Sequence, residues 1–139
     1  MSITYLTGGE ILDQQFGSVS PSIPTSYYLA LSTTTPTDAG ANFTEPTTVA
    51  SAYARVTIAN NKTSWEDSAS NSLSNLIEIA FPESTLAWGT ITHVGLFDSG
   101  TVGAGNLRYF SALTPSRVIQ TGAIVYFGIG DITVSITNA

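Results

Sequence analysis

The sequence predicts an all-β protein, an antiparallel β-sandwich of jelly-roll-like type with about eight strands and one short N-terminal helix. Two observations favour this class. Short segments of alternating apolar and polar residues recur between turns rich in glycine, proline and threonine, and no helical segment is long enough to cross over a parallel sheet. The chain has 139 residues, 42% of them hydrophobic, which is enough for one domain with a core of its own.

The first element, within residues 1–25, is predicted to be a short helix. Thr7 and Glu10 have the spacing of a capping box, in which each side chain caps a backbone N–H of the first turn. Gly17 is a typical helix stop. A helix this short is not stable alone, so it must dock on its own domain or on a neighbouring subunit.

One face of this helix is a candidate docking surface. Leu12 and Phe16 are four residues apart and therefore share a face, with Ile11 beside them. Residues 18–25 contain two prolines and are predicted to form an extended connector. The expected boundary lies here, between residues 1–25 and a β-sandwich domain of residues 26–139.

The strands of the β domain follow from period-two alternation and from short apolar segments, and we expect them at 27–32, 53–59, 76–81, 90–97, 106–113, 117–120, 123–129 and 132–136. Residues 90–97 are apolar on both faces, which predicts a central, buried strand. His93 within it is expected to be mostly buried and hydrogen-bonded. The strand at 53–59 should place Tyr53 and Arg55 on one face and Ala54 and Ile58 on the other.

Composition argues against several classes of function. The chain has four basic residues, one histidine, no cysteine and a net charge of −6, while serine and threonine together number 37. An acidic surface without a basic cluster disfavours nucleic acid and anionic membranes as partners. The N-terminus lacks the pattern of a signal peptide, and the apolar stretches are too short to span a bilayer. We therefore expect no nucleic-acid partner and no membrane partner.

No cofactor or metal site is expected either. The glycine-rich segment 100–105 leads into a strand, whereas a phosphate-binding loop leads into a helix. Asp98 begins a sequence similar to a calcium loop, but the further acids that such a loop needs are missing.

Two alternative readings concern enzymes and sugar-binding modules. His93 and Asp98 could belong to a hydrolase triad, but the chain has no Gly-x-Ser-x-Gly nucleophile elbow. A carbohydrate-binding module would need aromatic residues such as Tyr53 and Trp65 grouped on one exposed face, whereas aromatic residues on strands more often lie in the core. The exposure of Trp65, Tyr53 and His93 distinguishes these readings.

Several segments resemble a family of small virion proteins of tailed phages. The most specific is Trp88-Gly-Thr-Ile-Thr-His-Val-Gly-Leu-Phe-Asp98. Further matching segments are Tyr28-Leu-Ala-Leu-Ser-Thr-Thr-Thr-Pro, Glu45-Pro46, Tyr53-Ala-Arg-Val, Ile79-Ala-Phe-Pro-Glu, Gly105-Asn-Leu and Ala112-Leu-Thr. The resemblance extends over nearly the whole chain. It implies a virion structural protein of the kind labelled tail fibre or minor structural protein, and it supplies no catalytic residues.

The sequence and this resemblance together predict a non-enzymatic bacteriophage structural protein on the exterior of the virion. We expect a capsid decoration or cement protein, or the base of a head fibre. The alternative is a tail-fibre or tail-tip component that binds a host receptor or carbohydrate. The expected partners are other virion proteins of the capsid or tail, and further copies of this chain in a homo-oligomer such as a trimer.

The loops at 33–51 and 65–71 are expected to be exposed, with their acids Glu45, Glu66 and Asp67 at the surface. The candidate interface residues come from these loops, the helix and the last basic residue: Ile11, Leu12, Phe16, Phe43, Glu45, Trp65 and Arg117. Arg55 and Arg108 lie on predicted strands, where a local acid is expected to hold each one. Lys62 lies in a turn. Arg117 is therefore the expected intermolecular cation.

Overall fold

The computed structural model describes residues 1–137. In chain order the elements are β1 (Ser2–Ile3), α1 (Tyr5–Phe16), β2 (Ser26–Ser32), β3 (Val56–Ala59), β4 (Ser72–Ser74), β5 (Ile79–Ala80), β6 (Gly89–Phe97), β7 (Leu107–Ile119), β8 (Tyr126–Phe127) and β9 (Thr133–Ser135). Every strand pairing is antiparallel. The predicted all-β class with a single N-terminal helix is confirmed.

The main sheet has five strands in the order β1-β7-β6-β2-β3. Its centre is β6, which pairs with β2 through Leu31 opposite Val94 and with β7 through Gly95 opposite Phe110. The predicted central strand is therefore confirmed. His93 on it is partly rather than mostly buried, and its Nδ1 lies 2.9 Å from the Thr92 hydroxyl, which supplies the expected hydrogen bond.

Two smaller sheets, β4 with β9 and β5 with β8, complete the fold. Asn75 joins them: its amide donates to the carbonyls of Ile77 and Gly128, and its side-chain oxygen accepts from the Ile132 N–H. The main core cluster combines residues of the main sheet, such as Leu31, with residues of these smaller sheets. The core therefore lies between layers of sheet, as in a sandwich.

The start of the helix differs from the prediction. The N-terminal cap position is Thr4, whose hydroxyl donates to the Leu107 carbonyl at 2.9 Å, and its side chain makes no helix-capping hydrogen bond. The reason is that β1 pairs with β7 and therefore places Thr4 against the main sheet. Thr7 is consequently buried within the first turns, and the expected capping box does not form. Gly17 ends the helix as predicted, with its N–H donating to Asp13 at 2.8 Å.

The strand at 53–59 is shorter than predicted and begins at Val56. Tyr53, Arg55 and Ile58 are all buried, while Ala54 is exposed, so a single alternation does not run through the segment. The reason is that the chain pairs with β2 only from Val56 onward.

Other strand limits also differ. The segments 106–113 and 117–120 are one long strand, β7, while 76–81 and 123–129 each keep only two paired residues. The segment 132–136 keeps three, in β9. β1 and β4 were not expected. The strands at 27–32 and 90–97 agree with the prediction to within one residue, and 33–51 is irregular as expected.

Candidate assembly surface

Arg108 joins the helix to the main sheet through an ion pair. Arg108 on β7 donates to Glu10 of α1 at 2.5 Å and to Asp98 at 2.9–3.0 Å, and its side chain is only 8% exposed. The expectation that a local acid holds Arg108 is confirmed, with two acids rather than one. This contact orients the helix on the β domain and leaves its other side uncovered.

The uncovered part of the helix carries several exposed apolar side chains. Thr7 is the one buried residue of α1, whereas Leu12 is 60% exposed and Phe16 is 87% exposed. Ile11 is partly buried. The connector after the helix also carries exposed apolar side chains, Val19 and Ile23. We call the exposed apolar side chains of residues 5–23 the N-terminal apolar surface. Exposed apolar side chains concentrated in one segment are typical of a surface that another protein covers.

Phe43 and Glu45, two candidate interface residues of the long loop, are turned inward. The Phe43 ring lies edge-on to Phe97 with centroids 5.0 Å apart, and it packs so closely on β6 that a Cβ at Gly95 would lie 2.6 Å from it. Glu45 is 7% exposed and accepts hydrogen bonds from Arg55 and Tyr53. The expectation of an exposed acid at Glu45 is wrong, because Arg55 neutralises it inside the protein.

Trp65 is also in the interior, where it is 6% exposed and belongs to the main core cluster. The expectation that Trp65 lies in an exposed loop is wrong, because Trp65 itself forms an antiparallel β-bridge with Asn75. Its indole Nε1 is the one buried side-chain polar atom without a hydrogen-bond partner among residues 1–137. Of the two acids that follow, Glu66 accepts from the Ser74 hydroxyl and Asp67 is exposed.

Arg117 lies on the exposed half of β7. Arg117 makes no ion pair within the described part of the chain. The Lys62 Nζ, in contrast, lies 3.4 Å from the Asp67 Oδ1 at the surface. β1 covers the outer edge of β7 only at Tyr109 and Phe110, so this edge is unpaired further along the strand. Sequence reasoning missed the open edge, because it divided β7 into two short strands.

Among residues 1–137, no group of three or more histidine, cysteine, aspartate or glutamate side chains is placed to hold a metal ion. The hydrogen bond that His93 makes there is to Thr92 and not to a serine. None of the helices in this part of the chain has the length and apolar character needed to cross a membrane.

Comparison with known families decides the class of protein. The model of a family described as Podophage GP4 fiber I protein gp80 matches residues 2–135. The chain belongs to this phage fibre family. No curated protein sequence gives a significant match. The fibre protein is therefore a structural component of the virion exterior and associates with other virion components, as the resemblance implied.

Proposed function

We propose that the fibre protein is a non-enzymatic subunit that attaches to the particle through its N-terminal apolar surface. The main support for this proposal is that the helix has an exposed apolar face and that an ion pair holds the helix in a fixed orientation on the β domain. Phe16 and Leu12 are exposed, while Glu10 on the same helix is held by the buried Arg108. A surface that is both apolar and fixed in orientation binds a partner without a large ordering cost.

Within this proposal, the fibre protein is a decoration, cement or head-fibre-base protein of the capsid and forms a homo-oligomer such as a trimer. Residues 1–25 provide the docking segment, and residues 26–139 provide the β domain that faces outward. The support for a compact exterior module is that the chain has neither an internal repeat nor a long coiled coil, which a fibre shaft would need. The second candidate is a tail-fibre or tail-tip component.

The docking role is tested with Leu12→Ser and Phe16→Ser in one double variant. Both side chains are exposed, so circular dichroism and Tm should stay close to those of the wild type. We expect loss of the oligomer in analytical ultracentrifugation and loss of incorporation into particles. The matched control is Ile124→Ser with Ile129→Ser, which removes two exposed apolar side chains outside the candidate interface segments. Equal assembly of the double variant and the control would disprove the docking role.

The location on the particle is tested separately by electron microscopy of virions labelled with an antibody against the β domain. Label distributed over the capsid supports the proposed location. Label confined to the tail supports the second candidate instead.

A further inference from the structure

An apolar pocket of about 310 Å³ lies between the main sheet and the β4–β9 sheet. Its wall is made of aliphatic and aromatic side chains: Tyr27, Trp65, Leu73, Leu96, Tyr109 and Val134. Asn61 and Lys62, in the turn after β3, also line the pocket and are exposed, so they lie at its mouth. A pocket of this size and character suits one large apolar side chain of another protein.

The outer face of α1 carries such a side chain. Tyr5, Leu12 and Phe16 are seven and four residues apart, which places them on one face of the helix, and all three are exposed. Phe16, at 87%, has the largest exposed fraction of the large apolar side chains in residues 1–137. The molecule therefore exposes an aromatic ring that projects from a helix and has an apolar pocket elsewhere on its surface.

The helix does not place Phe16 in the pocket of its own chain. Phe16 follows the buried Thr7 by nine residues, or two and a half helical turns, and therefore points away from the side of the helix that Thr7 buries. Tyr27 and Tyr109 line both the pocket and a smaller hollow between α1 and the main sheet, whereas Phe16 lines neither. The helix is thus held beside the pocket, and a Phe16 ring that enters the pocket must come from another copy.

The charges at the edges of the two surfaces are complementary. Asp13 lies one turn before Phe16, is exposed and makes no ion pair within the described residues. Lys62, at the mouth of the pocket, is 63% exposed, and its pair with the 94% exposed Asp67 is long, at 3.4 Å. An exposed ion pair at the rim contributes little affinity but helps to fix the orientation of a contact.

We propose that the pocket receives the Phe16 ring of a second copy of the fibre protein, with Asp13 of that copy beside Lys62. A helix that inserts an apolar side chain into a groove is a common mode of recognition. The contact joins two different surfaces, so copies can close into a ring or exchange helices in a two-fold pair. The inference rests on the proposed docking role of the N-terminal apolar surface and names the partner of its Phe16.

Mixing two complementary variants in analytical ultracentrifugation tests this contact. Phe16→Ser removes the inserted ring and leaves the pocket open, whereas Val134→Phe fills the pocket and leaves the helix intact. Each variant alone should associate at least roughly tenfold more weakly than the wild type. An equimolar mixture should form a pair of one copy of each, because the helix of one variant fits the pocket of the other. The control Ile129→Phe enlarges an exposed side chain outside the pocket and should associate as the wild type does.

A charge-reversal cycle tests the same contact with exposed residues, whose substitution leaves the core intact. Asp13→Lys and Lys62→Glu should each weaken association by about threefold at about 50 mM NaCl, and the double variant should recover most of the loss. The control Glu78→Lys makes the same charge change as Asp13→Lys at an exposed acid outside the pocket. Lys62→Glu should not rescue it. If Val134→Phe fails to fold, this cycle decides the proposal alone.

Two results would overturn the proposal: a mixture that associates no better than its separate components, or charge reversals whose losses add in the double variant. Either result, combined with loss of the oligomer in the Leu12→Ser and Phe16→Ser double variant, would overturn this inference and leave the docking role standing with another partner. Unchanged assembly of that double variant would overturn the docking role and this inference together.

Discussion

Glu45 and Arg55 form a buried ion pair with two contacts, Oε2 to Nη2 at 2.7 Å and Oε1 to Nε at 2.9 Å. Their side chains are 7% and 1% exposed. The same guanidinium donates to the carbonyls of Ser99 and Ala104 at 2.6 and 2.9 Å. One arginine therefore ties together the long loop after β2, the approach to β3 and the turn between β6 and β7. These segments lack regular strand pairing, and the ion pair helps to hold them together.

Replacing Glu45 with alanine should strongly destabilise the fibre protein. The variant leaves the Arg55 guanidinium buried without its carboxylate, and breaking a buried pair in this way costs about 3–5 kcal/mol of the free energy of unfolding. Urea denaturation at pH 7, followed by tryptophan fluorescence, measures the loss. The control is Asp67→Ala, which breaks the exposed pair with Lys62 and should cost at most about 1 kcal/mol. A Glu45→Ala loss no larger than that of the control would contradict the prediction.

The Arg108–Asp98 ion pair should make stability depend on acid pH. Burial acts to raise the pKa of Asp98, but hydrogen bonds from Asn106 and Arg108 outweigh it and lower that pKa below its usual value. A carboxylate with a lowered pKa in the folded state stabilises the protein fully above its unfolded pKa of about 3.9. The contribution is then lost as the pH falls through the lower folded value.

Asp98→Asn should accordingly be less stable than the wild type at pH 7, with a shallower loss of stability from about pH 5 to about pH 2. Urea denaturation across this range provides the measurement. Asp67→Asn serves as the control and should follow the wild type, since its side chain is 94% exposed. Parallel curves for Asp98→Asn and the wild type would show that this carboxylate does not couple folding to pH.

The sequence allowed prediction of those elements whose burial pattern is local. β2 and β6 lie at the centre of the main sheet, so their apolar residues are continuous or alternate regularly, and Gly17 marks the helix end by its own conformational preference. The exposure of Phe16 and Leu12 agrees with their spacing on one helix face. These features depend on residues that are close in the chain.

What the sequence could not reveal depends on distant contacts. Asn75 bonds to Gly128 and Ile132, more than fifty residues away, and no local pattern indicates that role. Trp65 is buried because strands that lie far apart in sequence close over it, and Glu45 is buried because Arg55 neutralises it. The expected exposure of these two side chains is wrong, since long irregular loops do not show which side chains face the core.

Two helix glycines offer a way to stabilise the N-terminal segment. Added Cβ atoms at Gly8 and Gly9 would meet no atom within 4 Å. Alanine at either position should raise the free energy of unfolding by about 0.5–1 kcal/mol, because glycine loses more backbone entropy in a helix. Thermal denaturation monitored at 222 nm measures the gain. Gly103→Ala is the matched control: it also meets open space, but its φ of +78° makes alanine strained, so it should destabilise. A loss of stability in both helix variants would show that this reasoning is wrong.

Association through the N-terminal apolar surface should depend weakly on salt. Arg55 and Arg108 are paired inside the protein and Lys62 lies beside Asp67. Among the basic side chains of residues 1–137, Arg117 is therefore the exposed one without an ion pair. Screening weakens exposed charge pairs but hardly affects buried apolar area. Sedimentation equilibrium at about 50 mM and 150 mM NaCl should therefore give dissociation constants within about threefold of each other.

Phe16→Ala should weaken association by roughly tenfold or more, since it removes a large apolar side chain, whereas Arg117→Ala should have a smaller effect. A loss of tenfold or more between the two salt concentrations would instead reveal an electrostatic interface, and Arg117 would then be its first candidate.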